Sequence, residues 1–113
     1  MATYSKENPI TQDFRVQDIS VFTFLRPLDI LPGAPSGLKI QWLAKTTPNS
    51  VEVANLKEIA TGRVAVSRDS KKGPFIAALA ISGKQKDSKA TRDTRIVVFG
   101  TSNFATNNFA RYG

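Results

Sequence analysis

Apolar residues in this chain come in short runs or alternate with polar ones, and only the C-terminal end has helix-like spacing. From Gln17 to Leu25, Ile19, Val21 and Thr23 fall on one face and Ser20, Phe22 and Phe24 on the other. β-Branched and aromatic residues dominate there, which predicts a strand with apolar contacts on both faces, its pairing limited by Pro27. A turn with two prolines and two glycines, residues 32–37, precedes the next strand, Leu38 to Lys45. In it Leu38, Ile40, Trp42 and Ala44 alternate with Lys39, Gln41, Leu43 and Lys45, so one face is expected to be buried and the other mostly wet. Trp42, the only tryptophan, is in register with the apolar face and is expected to anchor the core.

Two further runs are continuous. Phe75 to Ile81 starts after Gly73-Pro74 and stops at Ser82-Gly83, and Ile96 to Phe99 stops at Gly100. Runs this short predict strands buried on both faces. The eleven residues from Lys84 to Thr94 hold one apolar residue, Ala90, and predict a mobile loop joining two antiparallel neighbours. Val64 and Val66 predict a short edge strand over Arg63 to Ser67. Val51 to Ala60 reads as a short helix or an irregular segment, with Asn49 or Ser50 as a start and Gly62 as a stop. Phe104, Ala105, Asn108 and Phe109 predict a C-terminal helix capped by Ser102 or Asn103. Residues 1–8 are expected to be flexible.

The 113 residues and a hydrophobic fraction of 41% fit one domain with a packed core. No run of about 18 apolar residues occurs, and the N-terminus has no signal-peptide core. The chain contains neither cysteine nor histidine. This removes disulfides, thiolate metal sites, cysteine nucleophiles, histidine bases and most zinc sites together. No enzyme and no cofactor are expected. The net charge of +7 is dispersed. Its densest cluster, Lys84, Lys86, Lys89, Arg92 and Arg95, is broken by Asp87 and Asp93 and has no interleaved aromatic for base stacking. A basic nucleic-acid-binding module using this loop is the alternative reading, not the favoured one.

Gly100-Thr-Ser102-Asn-Phe104 is close to a nucleophile turn, but position 104 is Phe where the hydrolase elbow has Gly. With no histidine to activate it, Ser102 reads as a helix cap, and the turn could at most receive an anion. The carboxylates follow no metal-loop spacing, and no glycine-rich phosphate loop is present. Thr46-Thr47-Pro-Asn49-Ser50 is rich in hydroxyls that serve equally to cap a turn or to bind a partner. Four or five strands accompanied by one clear helix leave doubly buried strands without enough cover. Either the chain dimerises through a sheet face or edge, or it is the C-terminal part of a larger α/β domain; the second is the expectation.

Several of these stretches in series resemble the auxiliary component of uncharacterised ABC-type transport systems linked to gliding motility. They are Asn8-Pro-Ile-Thr11, the strand and Leu-rich turn over Val21 to Leu31, Thr46-Thr-Pro-Asn-Ser50, Gly73-Pro-Phe75, and Arg95 to Ala105. The resemblance runs from about residue 8 to residue 110. The family ending carries two acidic residues where this chain has Thr101 and Asn103, so no cation or charge-pair role comes over to the turn. The resemblance implies a mixed sheet within a class I glutamine-amidotransferase-like (flavodoxin-like) sandwich lacking the catalytic residues. It also implies a location on the outer, periplasmic face of the cytoplasmic membrane, within a membrane-anchored parent whose membrane segments are absent here. The expected partners are other subunits of the transport complex. The expected contact surfaces are the sheet edges and the polar loops 46–50 and 84–94, with Thr46, Thr47, Asn49, Ser50, Lys84, Lys86, Lys89, Arg92, Ser102 and Asn103 as the candidate residues.

Overall fold

The computed structural model describes residues 2–84 and 89–106. It is a small α/β-type domain with one four-stranded sheet and few helices. The strands are β1 (Thr3–Tyr4), β2 (Leu38–Lys45), β3 (Ile76–Gly83) and β4 (Thr94–Phe99), in the order β1-β2-β3-β4. All three pairings are antiparallel, so the sheet is not the mixed one expected. Among the described residues, no helix is long and apolar enough to cross a membrane.

β2 and β3 fall close to where the alternation and the apolar run place them, but their pairing carries two irregularities. Trp42 faces Leu79 and Ala44 faces Ala78, so Leu43 is an inserted residue; Lys45 then faces Ile76, which passes over Ala77. A bulge of this kind re-aims the side chains beyond it. Leu43 and Ala77, the two inserted residues, are only 2% and 0% exposed. The face expected to be wet is the covered one: Gln41 and Leu43 lie on it, the bulge brings Ala44 in beside Leu43, and Trp42, expected to anchor the core, is half-buried on the opposite face.

The long connection from β1 to β2 covers one side of the sheet. Tyr4, Phe22 and Leu25 pack on the core cluster of Leu43, Ala44 and the β3 alanines. Residues 1–8, expected to be flexible, hold β1 and the buried side chains of Ser5 and Asn8, and Thr11 just beyond them is buried too. The Asn8 amide donates to Gln41 Oε1 at 3.0 Å, and its own oxygen accepts from the Ile10 N–H at 3.0 Å. The Thr11 hydroxyl donates to the Ser5 carbonyl at 2.7 Å. These bonds satisfy polar groups that would otherwise be stranded under the cover.

Three expected elements differ. Residues 17–25 form no ladder: Phe24 takes the left-handed backbone (φ 51°), which ends any extended run, and the segment binds through side-chain packing instead. Residues 63–67 are irregular, with Val64 and Val66 exposed. The helix within 51–60 is α1 (Leu56–Thr61), capped by Asn55 rather than Asn49 or Ser50, and it stops at Gly62 as expected. The Asn55 side chain wins because it accepts the Lys57 N–H at 3.1 Å, while Asn49 and Ser50 lie in a separate turn. At the C-terminal end the described residues give a single 3-10 turn, Asn103–Ala105, and the rest of the expected helix lies outside them.

Candidate interaction surface

The expected contact residues divide between the two ends of β3. Residues 46–50 follow β2 and residues 100–103 follow β4, so both stand where β3 begins; Lys84 and the basic loop stand where it ends. Eight residues of strand separate these ends by roughly 25 Å. The ten residues therefore do not make one surface.

Nor are the hydroxyls of 46–50 free to bind. Thr46 Oγ1 accepts the Phe75 N–H at 2.9 Å while the Thr46 N–H donates to the Phe75 carbonyl at 2.8 Å. Thr47 Oγ1 and Ser50 Oγ stand 3.3 Å apart, and the Ser50 carbonyl accepts from Gly73 at 2.8 Å. This loop is a latch on the start of β3, and of the four candidate residues in it only Asn49 is exposed. At the other turn the capping oxygen is that of Thr101, which accepts the Asn103 N–H at 3.2 Å; the Ser102 side chain makes no cap bond. Thr101 also donates to the Thr23 carbonyl at 2.9 Å, tying the covering segment to the end of β4. Ser102 is exposed and Asn103 half-buried. Lys84, Lys89 and Arg92 are exposed, and Lys86 lies outside the described residues.

The sheet edges are expected to make contacts, but the residue pattern does not say which strands form them; among the described residues β4 is an outer strand. Ile96, Val97 and Phe99 are 48%, 41% and 42% exposed. The run expected to be buried on both faces is the last strand of the sheet. The register puts Ile40, Ile81 and Ile96 in one row across the sheet, and Trp42, Leu79 and Val98 in the next row on the same face. Of these only Leu79 is buried. Lys45 places its ammonium 4.3 Å from the Trp42 ring centroid, a cation–π contact at the margin of that face.

On the covered face an apolar cavity of about 330 Å³ remains between the segment and the sheet, lined by Tyr4, Phe14, Phe22, Ala78, Phe99 and Phe104 among others. Phe104 closes it by packing at a tilt on Phe99, with centroids 4.5 Å apart, and by meeting Phe22 edge-on at 5.9 Å. Among the described residues, no cluster of His, Cys, Asp or Glu could hold a metal ion. The arrangement thus offers apolar contact and backbone hydrogen bonds. Searches against protein-family profiles, curated proteins and solved structures find no match to this chain.

Proposed function

We propose that this chain is a non-catalytic accessory domain of an ABC-type transport system, linked to gliding motility, that acts by protein–protein contact. The observation that supports it is the partly uncovered apolar sheet face of Ile40, Trp42, Ile81, Ile96 and Val98, which ends at an open strand. Exposed apolar surface of this kind marks an interaction site. On this reading the antiparallel sheet is one part of an amidotransferase-like sandwich on the outer face of the cytoplasmic membrane. Its partners are the other subunits of the transport complex.

The test is affinity purification of the tagged chain from its native cells, followed by mass spectrometry. Enrichment of an ABC-type ATPase together with its permease is the expected result. A purification that enriches neither, from a reading frame with no adjacent ATPase gene, would overturn the proposal.

A further inference from the structure

Among the described residues, no strand pairs with the outer edge of β4. The Gly100 N–H donates to the Ala77 carbonyl at 2.9 Å, and the register continues through Phe99 opposite Ala78 to Thr94 opposite Gly83. In an antiparallel ladder, residues alternate between bonding inward and pointing outward. Val98 and Ile96 therefore spend their backbone groups on β3, and those of Arg95, Val97 and Phe99 point away from it. Among the described residues, nothing bonds to these outward groups. The next segment to bond near this edge, residues 26–28, reaches only Gly100 and Ile76.

The side chains along the edge define what could pair there. Ile96 and Val98 lie on the uncovered apolar face, Val97 and Phe99 on the opposite face, and Phe99 forms one wall of the cavity. At the other end, Lys39, Ser82 and Arg95 stand in one row across β2, β3 and β4, with both cations exposed. A strand added beside β4 meets a cation at Arg95 and apolar neighbours at the four positions after it. A second copy would instead bring another +7 chain to this margin. Charge favours a partner of opposite sign.

We infer that β4 receives, by strand addition, an extended segment of a partner protein with one acidic residue opposite Arg95 and β-branched or aromatic residues after it. This deepens the protein-contact reading above and rests on it for the source of the strand. Main-chain bonds would supply affinity and the side-chain pattern specificity.

The probe is a capped synthetic octapeptide with one glutamate near one end, followed by alternating valine and threonine. Its binding to the whole chain is followed by fluorescence anisotropy. The expected result is saturable binding that weakens about threefold when the glutamate becomes lysine. It should vanish when alternate peptide amides are N-methylated. Val97→Pro removes an outward N–H that the fold does not use and should weaken binding by at least about tenfold. Arg95→Glu should make the lysine peptide the better ligand.

No binding at millimolar peptide would overturn the inference, as would binding that ignores both N-methylation and Val97→Pro. So would a dimer, seen by sedimentation equilibrium, that Val97→Pro dissociates, because the edge would then belong to a second copy. If the transport subunits co-purify equally with wild type and Val97→Pro, only the strand-addition inference fails. If they never co-purify while the peptide binds as described, only the transport reading fails.

Discussion

The carbonyl oxygen of Arg26 lies where a side chain on Gly100 would begin. An ideal Cβ there stands 2.1 Å from that oxygen, and the Arg26 N–H donates to the Gly100 carbonyl at 2.9 Å. The end of β4 and the covering segment are joined at a point that admits no side chain. Gly100→Ala should therefore destabilise the chain by about 1–3 kcal/mol, the usual cost of overpacking. Thermal unfolding followed by circular dichroism reads this as a drop of roughly 4 °C per kcal/mol. An unchanged midpoint would mean that the covering segment is not held against β4.

The latch at the start of β3 makes a second case. The Phe75 N–H has Thr46 Oγ1 as its acceptor at 2.9 Å, and Phe75 is buried. Thr46→Val keeps the shape and removes the acceptor, at a cost of about 1–3 kcal/mol for a donor left unsatisfied. Thr46→Ser keeps the hydroxyl and should lose less. Urea unfolding of the pair separates the hydrogen bond from the packing; equal losses would count against the latch.

At the turn after β4, the hydroxyl that matters is Thr101, not Ser102. Ser102→Ala removes no cap bond and should change stability by less than about 0.5 kcal/mol. Thr101→Val removes the acceptor for Asn103 and the donor to Thr23, and should cost about 1 kcal/mol or more. A reversed order in chemical denaturation would contradict this assignment.

Phe24 holds the left-handed backbone at φ 51° while its side chain is largely exposed. That conformation costs a non-glycine residue about 1–2 kcal/mol. Phe24→Gly should raise the melting temperature, provided that the ring does no work in the free chain. A fall would show that the ring is held by contacts stronger than the strain.

The alternative reading, a nucleic-acid module on Lys84, Lys89, Arg92 and Arg95, makes a prediction of its own. Without stacking aromatics, any binding to single-stranded DNA would be electrostatic. It should then fall by orders of magnitude between roughly 0.05 and 0.2 M salt. No binding to DNA or RNA even at low salt would rule this reading out.

How much was legible beforehand depends on where the causes lie. β2, β3 and β4 could be read because a short apolar run between glycines, prolines and polar loops has few other ways to be satisfied. The antiparallel pairing of β3 with β4 followed from the length and polarity of the stretch between them. The strand expected over residues 17–25 failed although its composition was right. Alternation reports which residues seek apolar contact, not whether the backbone finds a ladder; here Phe22 and Leu25 reach the core without one. The division of the candidate residues between two ends of the sheet, and the inward bonds of some, could not be read for a related reason. Hydroxyl-rich stretches do not reveal whether their bonds turn inward, as those of Thr46 and Thr101 do.

By itself the sequence determined that apolar runs would make a small sheet with few helices. It also left no thiol or imidazole for catalysis or metal binding. Tertiary structure alone decided that Leu43 and Ala77 are the inserted residues of a bulge, that residues 5–25 cover one face, and that β4 is an edge. Those outcomes depend on register and strand order, which are settled between segments distant in the chain. No local pattern of polar and apolar residues encodes them.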